Sequence, residues 1–378
     1  MKSLQVLKPI YRVEECLKSI RECLDAGWTG LGGKTVEFEQ AWKKYTGLPH
    51  AHFVNSATAG LHLAVKIFKD AYGWSDGDEI ITTPLTFVST NHAILYERLF
   101  PVFADVDERT LCLDPKEVES KITTRTRAVM YVGMGGNPGP LNEIRAICKK
   151  HGLKFILDAA HLAGAEVDGR HIGNEADVAV FSFQSVKNLP TADSGMVCFQ
   201  DAEFDAKSRK LSWLGIDKDT FMRSERGGSY KWRYDVPEVG YKYHGNAIMA
   251  ALGLVGLKYL DEDNKRRIDI ALQYKHNFPY QTRGIVEDPN VKSSCHLFQM
   301  AVYNRDAVVE ALNKEKIYPG VHYIDNTFYR MYRHGMNTCP VAHELSNELL
   351  TLPIHLELTD DDVVRVIDTL KVILDEQS

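Results

Sequence analysis

Between residues 52 and 199 seven short apolar runs alternate with segments of helical length, and that rhythm restricts the fold more than any other feature of the chain. The runs 52–54, 79–82, 101–104, 128–132, 155–157, 178–181 and 196–199 read as strands, and 58–72, 88–98 and 141–151 read as helices between them. Apolar strands separated by helices predict a largely parallel sheet covered on both faces. Ligands of such sheets collect at the carboxyl ends of the strands.

Around this centre the pattern changes. An amphipathic helix is predicted over 13–26, then a turn from Gly27 to Gly33 and a helix through Phe38, Trp42 and Tyr45. The stretch 201–237 reads as a loop-rich excursion carrying Arg223, Arg226, Lys231, Trp232 and Arg233, and 246–260 as a helix whose Ala250, Ala251, Gly253 and Gly256 permit close packing. A strand at 295–300 and helices at 305–315 and 360–375 suit a smaller α+β domain. With 378 residues available, the division expected is 1–255 and 256–378.

Composition narrows the partners. A net charge of -6 gives no general attraction for nucleic acid or anionic lipid. No run reaches the roughly 18–20 apolar residues of a membrane span, and Met1-Lys2-Ser3-Leu4 leads into a charged segment rather than a signal peptide, so a cytoplasmic protein is expected. The seven cysteines are scattered singly, without zinc-like spacing, which predicts reduced thiols and no metal site.

The chemistry resides in Phe181-Ser182-Phe183-Gln184-Ser185-Val186-Lys187-Asn188, an apolar run breaking into a polar turn, and in Ile156-Leu157-Asp158-Ala159-Ala160-His161 before it. Pyridoxal phosphate asks of a protein a lysine for its carbonyl, an anion for its ring nitrogen, an aromatic face and donors for its phosphate. Lys187 can supply the amine, although most turn lysines are simply solvated. Asp158 can face a pyridinium N–H or cap a helix, and His161 can meet the ring oxygen or be an ordinary polar residue. Ser56-Ala57-Thr58 opens a helix and can bind an anion or merely cap it, with Ser182 as a further donor. Phe87 can stack on the ring or sit in the core.

The order of these motifs resembles the DegT/StrS sugar aminotransferase family of fold-type I pyridoxal phosphate enzymes. Gly27-Trp28-Thr29-Gly30, Asn55 to Leu63, Thr86-Phe87-Val88-Ser89-Thr90-Asn91, Asp158-Ala159-Ala160-His161, Lys187-Asn188, Gly240-Tyr241-Lys242-Tyr243 and Gly320-Val321-His322-Tyr323 carry the resemblance over nearly the whole length. It implies an aspartate-aminotransferase-like α/β large domain with a mostly parallel seven-stranded sheet, plus a smaller α+β C-terminal domain. It also implies Lys187 joined to pyridoxal 5'-phosphate, Asp158 at the ring nitrogen, His161 near the ring oxygen, Phe87 stacked, and Ala57, Thr58 and Ser182 at the phosphate. Family members are homodimers with active sites at the interface, and the position of Lys242 reaches the neighbour's phosphate. Trp28, Thr29, His322 and Tyr323 fall on the substrate side.

Three departures bear on the substrate. Gly133-Met134-Gly135-Gly136 stands where the family often has His-Leu-Tyr-Gly, which removes an imidazole and an aromatic ring from a loop near the substrate. Ala192-Asp193-Ser194-Gly195 replaces Gly-Glu-Gly-Gly, and Lys242-Tyr243-His244-Gly245 replaces an Asn-Tyr-Arg-Met-like stretch. The expected reaction is transfer of an amino group, from L-glutamate, to a keto group of a nucleotide-linked deoxy sugar. Lys187 argues against the dehydratase branch, which has histidine there. Alternatives are a non-nucleotide keto sugar or cyclitol substrate and a non-catalytic cofactor-binding regulator; a dinucleotide oxidoreductase is disfavoured because no GxGxxG follows the first strand.

Overall fold

The seven apolar runs form one sheet, in the order His52–Val54, Gly195–Phe199, Val178–Ser182, Lys154–Asp158, Thr126–Val132, Glu79–Thr82, Phe100–Phe103. The structure is a computed structural model and describes residues 2–217, 234–285 and 288–377. Neighbours from Val178–Ser182 to Phe100–Phe103 run parallel. Gly195–Phe199 is antiparallel to both of its neighbours, because residues 183–194 hold no helix to carry the chain back for a parallel crossing.

Alternate residues of each strand enter separate cores. Val129, Tyr131, Phe155, Leu157 and Phe181 join one apolar cluster, while Ala128, Met130, Ile156 and Val180 join another across the sheet. Both faces are therefore covered, and this is why the strands read as unbroken apolar runs.

Local signals set the helix that opens the site. Ser56 Oγ accepts the Ala59 N–H at 3.1 Å and caps helix Ala57–Tyr72, a contact of the kind that contributes about 1 kcal/mol. Gly73, at φ +63°, ends it. Gly60 allows the helix to lie close on the sheet, since a Cβ there would stand 2.7 Å from Val180.

Two expectations need correction. Within 201–237, residues Ala202–Ser212 form a helix capped by Asp201, which accepts the N–H groups of Glu203 and Phe204 at 2.7 and 3.4 Å. Arg223, Arg226, Lys231, Trp232 and Arg233 lie outside the described residues. The helix expected over 246–260 is Ala247–Leu257, and a second one, Leu260–Asn277, follows it. Its buried face mixes Asp263, Asn264 and Arg267 with Ile270, Ala271 and Tyr274, so polar residues interrupt the apolar period that would reveal it.

Beyond this helix a three-stranded antiparallel sheet joins Thr282–Arg283, Phe298–Ala301 and Leu349–Leu352. A separate apolar cluster gathers Ile270, Tyr274, Phe298, Leu350 and Val366, and Leu4 reaches it from the start of the chain. All seven cysteines are free and buried. Among the described residues no helix is long and apolar enough to cross a membrane.

Candidate active site

The carboxyl ends of the sheet open onto a cavity of about 390 Å³, lined among others by Thr58, Phe87, Asp158, His161, Lys187 and Tyr323. Groups distant in sequence meet because each follows its own strand: Thr58 after 52–54, Phe87 after 79–82, Asp158 and Ser182 at the ends of theirs, Lys187 in the turn beyond. Two wider, more open grooves of about 840 and 1080 Å³ lie on surface helices and at the amino ends of strands. Enclosure and chemistry favour the smaller cavity.

Asp158 is buried. Thr90 Oγ1 donates to its Oδ2 at 2.7 Å, and the Ala160 N–H donates to its Oδ1 at 3.1 Å. Burial raises its pKa above the usual carboxylate range, while those two hydrogen bonds and the Lys187 charge pull it back. The carboxylate closes a turn, and no helix starts here, so the capping alternative is not realised. A buried carboxylate so placed favours a cationic partner.

Lys187 lies partly buried at the cavity wall. Burial lowers its pKa from 10.5 to about 8, against the opposing pull of Asp158. Roughly one molecule in ten then carries the neutral amine at pH 7, far more than for a solvated lysine. Its nearest hydrogen-bonding neighbour is His296 Nε2 at 3.5 Å.

His161 accepts the Gly135 N–H at Nδ1, 3.2 Å away. Its ring proton therefore sits on Nε2, which donates to the Tyr323 hydroxyl at 3.3 Å. Burial, reinforced by Lys187 and His322, holds His161 well below the ordinary imidazole range, so the ring is neutral at pH 7. His322 is lowered to about 4, again mainly by burial, and its Nδ1 lies 3.0 Å from Thr351 Oγ1.

The first-turn N–H groups of Ala57 and Thr58 have no intrahelical partner, and Ala57, Thr58 and Ser182 all line the cavity. Gly195 makes room, since a Cβ there would stand 2.7 Å from Ala57 N. Phe87 is 59% exposed, so it is no core residue, and it lines the cavity with its ring centroid 6.0 Å from that of Tyr323.

Trp28, Thr29 and Lys242 do not line this chain's cavity. Trp28 Nε1 donates to Leu31 O at 2.7 Å, and the Thr29 carbonyl accepts the Ala247 N–H. Lys242 Nζ lies 3.3 Å from the centroid of the Trp213 ring. Asp193, part of a departure from the family pattern that bears on the substrate, lines the cavity, and Thr90 and His296 belong to the site or touch it although sequence reasoning assigned them no role. Thr90, one helical turn after Phe87, was within reach of that reasoning. His296 comes from the 294–299 segment and had no local signal.

The glycines at 133, 135 and 136, where the chain departs from the family's His-Leu-Tyr-Gly, serve close packing. All are buried: a Cβ on Gly135 would meet Gln299 at 2.7 Å, and one on Gly136 would meet the Cys295 and His296 backbone nitrogens at 2.8 and 2.9 Å. The lack of side chains at 135 and 136 lets the 294–299 segment press against the turn, while a Cβ on Gly133 would meet Leu162 at 2.5 Å. Gly136 also has φ +102°, so Gly136→Ala is expected to cost about 2–4 kcal/mol in urea unfolding, from backbone strain and overpacking together.

These groups fit pyridoxal phosphate on the chemistry of their donors. Helix-terminal N–H groups and two hydroxyls suit the phosphate, Asp158 suits a protonated ring nitrogen, Phe87 offers a face, and Lys187 offers a reactive amine. Fold and site thus define a pyridoxal phosphate enzyme of fold type I. A sequence model of the DegT/DnrJ/EryC1/StrS aminotransferase family matches residues 11–371. The spore coat polysaccharide biosynthesis protein SpsC of Bacillus subtilis (strain 168) is 37% identical over 380 residues, spanning 97% of this chain and 96% of SpsC. Aminotransferase TlmJ from Streptoalloteichus hindustanus superposes with a TM-score of 0.91 at 30% identity, over 100% of both chains. The PLP form of Spr1654 from Streptococcus pneumoniae gives a TM-score of 0.90 at 26% identity, over 99% of both. The chain belongs to the DegT/DnrJ/EryC1/StrS aminotransferase family and is a pyridoxal phosphate-dependent sugar aminotransferase.

Proposed function

We propose that this aminotransferase takes its amino group from L-glutamate and delivers it to a keto group of a nucleotide-linked deoxy sugar. The observation that carries the catalytic part is the meeting of Lys187, Asp158 and His161 in one cavity. The kinship with SpsC, named for polysaccharide biosynthesis, supports a sugar destined for a surface glycan.

When bound, the cofactor supplies a carbonyl for amines and a ring that takes up an electron pair. Lys187 holds the cofactor and, once released, moves a proton at the amino-bearing carbon in both half-reactions. Asp158 keeps a proton on the ring nitrogen, and Thr90 fixes the carboxylate for that task. His161 would meet the ring oxygen, Phe87 would stack, and Ala57, Thr58 and Ser182 would bind the phosphate. His322 and Tyr323 face the substrate from the segment after 320.

A homodimer completes the proposal. Val13, Leu17 and Leu24 project from one side of helix Val13–Asp25, each more than half exposed, and a second copy would cover them. Lys242, with Trp28 and Thr29, would then serve the partner's cavity. The division into 1–255 and 256–378 draws support from the apolar cluster around Ile270, Phe298 and Val366, which Leu4 joins from the first part, although the boundary falls within helix Ala247–Leu257. A cytoplasmic setting suits nucleotide-linked substrates.

The test is spectroscopic. L-glutamate should discharge the visible band of the lysine-bound cofactor, and a panel of nucleotide 4-keto sugars should restore it. Restoration by free keto sugars or cyclitols alone would refute the nucleotide linkage. A band that glutamate leaves intact would refute the donor.

A further inference from the structure

His296 is 1% exposed, and both of its ring nitrogens have a defined neighbour. Nε2 lies 3.5 Å from Lys187 Nζ, and Nδ1 lies 3.0 Å from Asn188 Oδ1. Asn188 spends both of its amide protons elsewhere, on Asn264 Oδ1 at 2.7 Å and the Ser294 carbonyl at 2.8 Å. Asn264 in turn donates to the Ala163 carbonyl at 2.9 Å, so its own orientation is fixed. Asn188 therefore offers only its oxygen to the histidine, which must carry its proton on Nδ1. That leaves the Nε2 lone pair aimed at the lysine.

We propose that His296 is a positioning residue for Lys187: its Nε2 accepts a hydrogen bond from the lysine amine and holds it at the cavity wall, while Asn188 and Asn264 lock the ring. The proposal rests on Lys187 being the reactive lysine. It explains why Asn188, directly after the lysine, is buried against Asn264 of helix Leu260–Asn277, and why Gly135 and Gly136 let the 294–299 segment approach so closely. The charged and titratable neighbours are Lys187, His161, His322 and Arg267 around the histidine, with Asp158 beside the lysine. Burial and the cations hold the imidazole neutral, as an acceptor must be. A neutral acceptor favours the ammonium form of the lysine, so removing it should make that amine less basic.

The experiment uses the full-length holoenzyme and trace acylation of Lys187, read by peptide mass spectrometry from pH 6 to 10. Before treatment the lysine is masked by the cofactor. Hydroxylamine, which takes the cofactor carbonyl, frees it for labelling, with a midpoint near 8 in the wild-type protein. In His296→Leu the midpoint should fall by about one unit, whereas His296→Gln, which keeps an acceptor, should stay within about 0.3 of wild type. Should His296→Leu not fold, Asn188→Ser reads the same quantity, with a smaller fall expected. An unmoved midpoint in these variants, or equal falls in the Leu and Gln variants, would overturn the positioning role while leaving Lys187 as the reactive group. Labelling of Lys187 that is identical before and after hydroxylamine would overturn the lysine assignment and the proposal with it.

Discussion

Lys187→Ala is expected to lose turnover by about 10⁴-fold or more, together with the visible band of the lysine-bound cofactor. Binding need not vanish with it, because the first-turn N–H groups of Ala57 and Thr58, the Ser182 hydroxyl and Asp158 do not depend on the lysine. The pH dependence follows from the same group. Burial places the Lys187 pKa near 8, so the competent free amine is scarce at pH 6 and dominant at pH 9, and a step that needs it should rise and level off across that interval. Stability carries the opposite signature. A lysine whose folded pKa lies below its unfolded value of 10.5 opposes folding wherever it is protonated in the unfolded chain. The penalty is complete below about 8 and fades as the pH climbs towards 10.5. Lys187→Met, which keeps most of the stem and loses the charge, should therefore melt above the cofactor-free wild-type protein at pH 7, and the gap should narrow by pH 10. Lost activity with raised stability separates a chemical role from a folding one.

Asp158→Asn should have the next largest effect, a fall in kcat of about 10²–10³-fold with weaker cofactor retention on dialysis. An amide cannot hold a proton on the ring nitrogen by opposite charge, although it matches the carboxylate in size. Thr90→Val leaves the charge and removes one donor, so a smaller loss is expected. Because burial raises the Asp158 pKa, its protonation on acidification begins above the ordinary carboxylate range. The Asn variant should lack that acid limb.

Much of this could be read from the chain because each signal was local. All seven strands of the central sheet coincide with apolar runs, since a sheet covered on both faces leaves no polar interruptions. Thr58, Phe87, Asp158, His161, Ser182 and Lys187 were readable because strand ends bring them together without help from distant sequence. Helix Leu260–Asn277 was not, because Asp263, Asn264 and Arg267 occupy its buried face for hydrogen bonds and ion pairs rather than for hydrophobic burial. His296 meets Lys187 through a contact between residues far apart in the chain, which no periodicity encodes. The role of the glycines at 135 and 136 was hidden for a related reason: their missing side chains serve a close approach of the 294–299 segment, which lies far away in the chain.

The most direct measurement is reduction of the holoenzyme with borohydride, followed by peptide mass mapping. Lys187 as the cofactor-bearing lysine predicts one phosphopyridoxyl mass, carried by the peptide that contains Lys187. The same mass on another lysine, or none on this one, would contradict it.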